Sequence, residues 1–90
     1  MNTLNIRKRL LYQSQHRGMF EADLLLGGFA QKYLDQLTSQ ELTDFETLMD
    51  AYDGDILNWL YGHGAVPESY RTPLFDKLLK YTHHEHAPSA

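Results

Sequence analysis

The chain has 90 residues, of which 42% are hydrophobic and 22% charged, and its net charge is −4. This length and composition predict one globular domain with a small core. The chain has no cysteine, which excludes disulfides, thiolate zinc sites and cysteine nucleophiles.

The charges are distributed unevenly. Residues 1–17 contain four basic residues and no acid, whereas residues 35–55 contain seven acids and no base. A helix-turn-helix regulator is one candidate class, but acids on its third helix would repel phosphates. No apolar run approaches the roughly 20 residues that cross a bilayer, and the N-terminus lacks the apolar stretch of a signal peptide. We therefore expect a bacterial cytoplasmic protein without nucleic-acid partner or membrane insertion.

Helix one is predicted over about residues 4–15. Its apolar residues have the spacing of one buried helical stripe, formed by Leu4, Ile6, Leu10 and Leu11. The intervening basic residues would then face water, namely Arg7, Lys8 and Arg9. Gly18 interrupts this pattern and separates helix one from the next helix.

Helix two is predicted over about residues 20–37 and opens with two acids, which suit the positive end of the helix dipole. Its apolar stripe consists of Leu26, Phe29 or Ala30, Tyr33 and Leu37. Gly27-Gly28 lies inside this helix, where each glycine costs up to about 1 kcal/mol relative to alanine. The pair therefore indicates a kink, a break or close backbone packing.

Helix three begins after Thr38, which forms with Glu41 the pattern of a capping box. The apolar residues that follow predict its inner face, formed by Leu42, Phe45, Leu48, Met49 and Tyr52. The acids of the segment would lie mostly on other faces, namely Glu41, Asp44, Glu46 and Asp50.

Two shorter helices complete the prediction. Asp53-Gly54-Asp55 forms a turn in which either carboxylate caps helix four, over residues 56–61. Its inward residues would be Ile56, Trp59 and Leu60. Gly62-His63-Gly64 would end it. Thr72-Pro73 has the N-cap and N1 pattern of helix five, with a buried stripe formed by Leu74, Phe75, Leu78 and Leu79.

The sequence thus predicts an all-α fold, a compact five-helix bundle without strands. A single domain over residues 1–82 would be followed by a flexible His-containing tail over residues 83–90, frayed as chain termini commonly are.

No residue pattern in the chain is typical of catalysis, because the serines have no motif context and a small bundle encloses little volume. His83, His84 and His86 with Glu85 could hold a metal ion, but an unanchored tail favours adventitious binding. Asp53-Gly54-Asp55 resembles the start of a calcium loop whose later ligands are missing. We predict no catalytic, metal-binding or cofactor-binding residues.

The segment Arg17-Gly18-Met19-Phe20-Glu21 is the best candidate for a functional surface. Arg17 and Glu21 are four apart, so they form either a surface ion pair worth 0–1 kcal/mol or part of a binding surface. Trp59 likewise has two interpretations, a core residue or part of an interface, where tryptophan is enriched.

These motifs together resemble the small flavinylation factors known as SdhE in bacteria and as succinate dehydrogenase assembly factor 2 in mitochondria. The matching elements, over about residues 5–80, are Arg17-Gly18-Met19-x-Glu21-x-Asp23, the capped acidic third helix ending in Tyr52-Asp53-Gly54-Asp55, and Ile56-Leu57-Asn58-Trp59-Leu60-x-Gly62-His63-Gly64. The chain departs from many relatives at His16, where they have another arginine.

The resemblance implies an assembly factor, not an enzyme. It would bind the flavoprotein subunit of succinate dehydrogenase, and in some bacteria that of fumarate reductase, and promote covalent attachment of FAD to a histidine of that subunit. The implied partner-binding residues are Arg17, Gly18, Glu21 and Asp23, with a second element at Asp55 and Trp59. The FAD belongs to the partner, so no tightly bound cofactor is expected.

Two further functions compete with this one. A generic helical adaptor would have the same fold and a non-flavin partner. A small enzyme or direct FAD carrier would retain flavin on purification, but the chain has no glycine-rich dinucleotide fingerprint after a strand.

Overall fold

The computed structural model describes residues 3–85, which form five α-helices and no strand. The helices are α1 (Thr3–Gln15), α2 (Phe20–Tyr33), α3 (Ser39–Leu48), α4 (Asp53–Leu60) and α5 (Pro73–Lys80). Shorter elements are the 3-10 turns Leu34–Gln36 and Glu68–Tyr70 and the π-helical turn Tyr81–Glu85. The predicted all-α, five-helix architecture is confirmed.

The core lies where α1 and α2 pack against each other and where α3 contacts both α1 and α5. Its largest fully buried apolar side chains are Leu10, Leu25, Leu26, Phe29, Leu42, Phe45, Leu48, Ile56, Leu60, Leu74 and Leu78. The Cα radius of gyration is 12.2 Å, close to the value of about 12 Å expected for a compact domain of this length.

The buried face of α1 differs from the predicted stripe at both ends. Leu4 is 55% exposed, so its predicted burial was wrong. The stripe instead runs at four-residue spacing through Ile6 and Leu10 to Ser14, which is fully buried. Ser14 is tolerated there because its hydroxyl donates to the Leu11 carbonyl at 3.0 Å, which satisfies a buried polar group.

Arg7, predicted to face water, is partly buried. Its Nε donates to the Leu34 carbonyl at 3.1 Å and its Nη2 to the Leu37 carbonyl at 3.0 Å. Both carbonyls lie just after α2, and the Leu34 carbonyl also accepts from the Leu37 N–H, so Arg7 reinforces the turn that ends this helix. The α-helix ends at Tyr33, not at the predicted Leu37, and tightens into the 3-10 turn.

The Gly27-Gly28 pair lies within a continuous α2 and marks close packing, one of the three predicted possibilities. A Cβ at Gly27 would lie 2.9 Å from Cγ of Gln15 and 3.3 Å from the Ser14 carbonyl oxygen. At Gly28 it would overlap the Tyr81 hydroxyl. The two glycines therefore let α1 and the turn after α5 approach the α2 backbone.

The capping box of α3 is confirmed, since the Thr38 side chain accepts from the Glu41 N–H and the Glu41 carboxylate from the Thr38 N–H. Glu41 is buried, contrary to prediction, because its second oxygen also pairs with Lys77 at 2.6 Å. Tyr52 was wrongly placed on the inner face: α3 ends at Leu48, so the helical register no longer applies four residues later.

The start of α4 also differs from the prediction. The helix begins at Asp53, so Asp53-Gly54-Asp55 forms its first turn, and the N-cap residue is Tyr52, which makes no side-chain cap bond. The Asp53 carboxylate binds Arg17 instead of capping. The helix ends before Gly62, whose φ of 77° is readily adopted by glycine.

Helix α5 begins as predicted, with Thr72 as N-cap and Pro73 in the first turn. The turn that follows is held by several side chains: the buried Thr82 hydroxyl donates to the Leu78 carbonyl, and His83 Nε2 lies 2.8 Å from the Leu60 carbonyl. The interpretation of residues 83–90 as a flexible tail stays a prediction, and residues 86–90 lie outside the described part of the chain.

Candidate partner-binding surface

The connection between α1 and α2 turns at Gly18. Its φ is 95°, a left-handed conformation that non-glycine residues adopt only with strain, and a Cβ there would meet no atom within 4 Å. Glycine is thus favoured by the backbone conformation, and at Gly18 the main chain is open to solvent.

Arg17, the first predicted site residue, is directed into the molecule. Its Nε donates to Asp53 Oδ1 at 2.6 Å, its Nη1 to the Met49 carbonyl at 2.6 Å and its Nη2 to the Ala51 carbonyl at 2.7 Å. Only 13% of the side chain is exposed. We call this set of bonds, which joins the glycine turn to the connection between α3 and α4, the Arg17 clamp.

The two predicted acids of the turn are also engaged within the chain. Asp23 Oδ1 accepts from the Arg17 backbone N–H at 2.6 Å, which fixes the turn against the start of α2. Glu21 Oε2 accepts from the Tyr61 hydroxyl at 2.5 Å. Of the two interpretations left open for Arg17 and Glu21, the surface ion pair does not form, because Arg17 pairs with Asp53 and Glu21 binds Tyr61.

The bond between Glu21 and Tyr61 joins the first turn of α2 to the residue after α4. Burial, followed by the hydrogen bond to the Glu21 carboxylate, raises the pKa of Tyr61 to about 12. The protonated Tyr61 hydroxyl holds the Glu21 side chain in one orientation, and Glu21 as a whole is half-buried.

The second predicted element lies on α4. Asp55 is exposed in the first turn of the helix, and Trp59 is half-buried with its ring centroid 5.1 Å from that of Tyr70. Trp59 packs against the core but is not enclosed by it. The structure thus brings Arg17, Glu21 and Asp23 into contacts with neighbouring elements and leaves Gly18 and Asp55 open to solvent.

Large exposed apolar side chains occur near the clamp: Met19 and Phe20 belong to the predicted surface segment, whereas Leu24 and Tyr52 were not predicted as surface residues. Phe20 is 78% and Tyr52 82% exposed, and Met19 and Leu24 are also exposed. Tyr52 stands between two residues that the Arg17 guanidinium binds, Ala51 and Asp53. Large apolar side chains exposed near one another in this way are candidates for an interaction site.

An open groove of about 540 Å³ runs beside the clamp, between the second half of α1 and α3. Its lining residues are Arg9, Tyr12, Gln13, His16, Arg17, Thr43, Glu46, Thr47, Met49 and Asp50. Arg9 pairs with Glu46 across it. The rings of Tyr12 and His16 stack at 4.1 Å. Because it is open to solvent and presents polar and apolar surface in similar amounts, the groove suits a protein segment better than an enclosed small molecule.

No group of three or more His, Asp or Glu residues within 3–85 is placed to hold a metal ion. His86, part of the suggested tail cluster, lies outside this range. Glu85 binds Lys32 and Tyr33, contacts that lower the pKa of its carboxyl.

None of the helices described over residues 3–85 combines the length and the apolar character needed to cross a membrane.

The five-helix fold, the bare glycine turn and the exposed apolar residues beside it are typical of a small helical protein that acts by binding another protein. Comparison with known proteins gives the family. A family model described as flavinator of succinate dehydrogenase matches residues 8–82, and the chain belongs to this family. The predicted family resemblance is thereby confirmed.

Similar proteins come from bacteria and from eukaryotes. The chain is 38% identical over 74 residues to the FAD assembly factor SdhE of Acetobacter pasteurianus, covering 82% of this chain and 68% of that protein. It is 44% identical over 79 residues to the mitochondrial succinate dehydrogenase assembly factor 2 of Dictyostelium discoideum, covering 88% and 53%. The protein of that name from Saccharomyces cerevisiae strain YJM789 is 44% identical over 71 residues, covering 79% and 41%. The chain therefore spans about half or less of these mitochondrial relatives.

Proposed function

We propose that the protein is an assembly factor that binds the flavoprotein subunit of succinate dehydrogenase and promotes covalent attachment of FAD to it. The observation that carries this proposal is the family match over residues 8–82, which includes the whole surface around Gly18. The flavoprotein subunit of fumarate reductase is a second client under the same proposal. A bacterial cytoplasmic location stays a prediction.

The proposed partner-binding residues are Arg17, Gly18, Glu21, Asp23, Asp55 and Trp59. Gly18 presents bare backbone, which lets the partner approach closely. Glu21 offers a carboxylate that Tyr61 orients, so little side-chain freedom remains to be lost on binding. Asp55 adds an exposed charge from α4.

In this proposal the reacting groups belong to the partner, and the protein acts by preferring one of its conformations. A bound protein shifts a conformational equilibrium only by its differential affinity for the two states. If the preferred state aligns the flavin with its acceptor histidine, near-attack geometry removes several kcal/mol from the barrier. The FAD supplies the electrophilic ring and stays with the partner.

Direct FAD binding by this chain fits the described surface poorly. The groove beside the turn is lined by Glu46 and Asp50, whose charges oppose a pyrophosphate, and Arg9 is already paired with Glu46. The proposal therefore includes no tightly bound cofactor.

The test measures covalent flavin in the client. The cognate flavoprotein is expressed alone, with the wild-type protein, and with Glu21→Ala, Glu21→Gln or Asp35→Ala, and in-gel flavin fluorescence is read after denaturation. Asp35 is an exposed acid in the turn after α2, next to the Leu34 that binds Arg7, and it serves as the matched control. Glu21→Gln keeps an acceptor for Tyr61 and separates loss of charge from loss of structure.

We expect fluorescence to require the protein, to fall with both Glu21 variants and to be unchanged by Asp35→Ala. Equal fluorescence in every lane would overturn the proposal for that client. The generic adaptor would then be favoured, particularly if a non-flavin protein co-purifies with the chain.

A further inference from the structure

The Arg17 clamp fixes the connection between α3 and α4 in one conformation. The guanidinium bonds to the Met49 and Ala51 carbonyls and to the Asp53 carboxylate, so it contacts the connection on both sides of Tyr52. The ion pair with Asp53 is shielded on both partners, which weakens screening by solvent. The connection is thus ordered before any partner arrives.

Tyr52 itself contributes little to this order. It is 82% exposed, and the described residues give its hydroxyl no hydrogen bond. A tyrosine held out on a fixed backbone can bury a large area against a partner at small conformational cost, as interface hot spots do.

The charged residues that flank Tyr52 in the sequence indicate which kind of partner surface would complement it. Asp50 and Asp55 are both exposed and stand on either side of Tyr52 in the chain, whereas Asp53 is taken up by Arg17. No basic residue occurs between residues 35 and 55. A complementary surface therefore has an apolar hollow rimmed by lysine or arginine side chains.

We propose that Tyr52 inserts into an apolar hollow with a basic rim on the flavoprotein subunit, and that Arg17 serves binding as a positioning residue which presents Tyr52. This inference rests on the proposed function, since it names the contact chemistry of the same client. It adds Tyr52 and Asp50 to the surface and gives Arg17 an indirect role, because its guanidinium faces inward.

The first experiment measures the Kd of the purified flavoprotein subunit for wild type, Tyr52→Ala and Leu4→Ala. Leu4 is also an exposed apolar residue but lies at the far end of α1, which makes it a matched control. We expect Tyr52→Ala to weaken binding about tenfold or more and Leu4→Ala to leave it within about twofold. Thermal unfolding should be nearly the same for all three proteins.

Two charge variants test the basic rim. Asp50→Lys should weaken partner binding and make the Kd less dependent on salt concentration. Asp35→Lys makes the same charge change in the turn after α2 and should have neither effect. Equal effects of the two variants would show that only net charge matters and would overturn the basic rim.

The positioning role of Arg17 is tested by coupling it to Tyr52. Asp53→Asn and Arg17→Lys should each weaken partner binding when made in the wild-type protein. When each is combined with Tyr52→Ala, most of this additional loss of binding should disappear. Their losses of stability should persist in the Tyr52→Ala background, because the clamp is still broken. Undiminished binding losses in the Tyr52→Ala background would show that Arg17 acts independently of Tyr52 and would overturn the inference.

Failure of this inference can be told apart from failure of the proposed function. A wild-type protein that binds the flavoprotein and raises its flavin content, with Tyr52→Ala equally effective, contradicts only the inference. A wild-type protein that does not bind the flavoprotein contradicts both.

Discussion

Two arginines, Arg7 in the first half of α1 and Arg17 just after its end, make similar bonds with different results. Arg7 donates to the Leu34 and Leu37 carbonyls, after α2, and Arg17 donates to the Met49 and Ala51 carbonyls, after α3. In both cases a guanidinium donates to main-chain carbonyls of residues that follow a helix. Each arginine thus holds a connection between helices against α1.

The two ends differ in what the held connection exposes. Leu34 and Leu37 point into the core, so the Arg7 end completes the hydrophobic interior. At the Arg17 end the connection exposes Tyr52 and adds an ion pair with Asp53. The bonds of Arg7 therefore hold residues that belong to the core, whereas the bonds of Arg17 hold a connection that exposes Tyr52. The first region is structural, and the second is a candidate for partner binding.

The largest expected effect comes from removing each arginine in turn. Arg17→Ala should lower the free energy of unfolding by about 3 kcal/mol, because it leaves the shielded Asp53 carboxylate without its cation. Arg7→Ala should cost about 1–2 kcal/mol, since it removes only hydrogen bonds to carbonyls. Urea unfolding measures both, with the exposed Lys8→Ala as control. Equal losses at the two ends would contradict this ranking.

A smaller effect on stability is expected from Glu41, at the start of α3, when the pH is lowered. The hydrogen bond from Lys77, together with the Thr38 N–H, lowers the pKa of Glu41. A lowered folded-state pKa adds stability above the unfolded value of about 4.3, and this stability is lost as pH falls through the folded value.

Glu41→Gln should therefore reduce stability by about 1 kcal/mol at neutral pH and make unfolding less dependent on pH below about 5. Urea unfolding at a series of pH values tests this, with the exposed Glu68→Gln as control. An unchanged acid dependence would show that the ion pair with Lys77 adds no stability. Partner binding at the Arg17 end should not change.

The smallest expected effect is the change in the free energy of unfolding when Gly18 or Gly54, both near the Arg17 clamp, is replaced by alanine. Gly18→Ala should cost about 1 kcal/mol, because φ is 95° although the space is open. Gly54→Ala, in the first turn of α4 and equally open, should be neutral or stabilise by up to about 0.5 kcal/mol. Thermal unfolding distinguishes the two, and a loss at Gly54 equal to that at Gly18 would contradict a purely conformational cost.

The fold was predictable because its signals are local. Thr38 with Glu41 and Thr72 with Pro73 specify helix starts within four residues of sequence, and Gly62 specifies an end. The bounds of α3 were harder to predict: apolar spacing extends to Tyr52, but the helix stops at Leu48, and the carbonyls of Met49 and Ala51 after it bind Arg17.

The candidate site was predictable as a set of residues but not as a geometry. The motif indicated Arg17 and Glu21, yet their partners Asp53 and Tyr61 lie 36 and 40 residues away in sequence. The other acceptors of Arg17 are backbone carbonyls, which every residue carries and no pattern reveals. Tyr52 was missed because apolar residues at helical spacing indicate a core before they indicate a surface.

The acceptors on either side of Tyr52 have one more consequence. Since the Arg17 clamp holds the main chain at Met49 and Ala51, it does not depend on which side chains occupy positions 50 and 52. The side chains at these two positions can therefore be substituted on a fixed main chain, so evolution can change what they contact without changing the bundle. A library randomised at positions 50 and 52 would explore new partners while retaining the fold, whereas randomising Asp53 would damage the clamp itself.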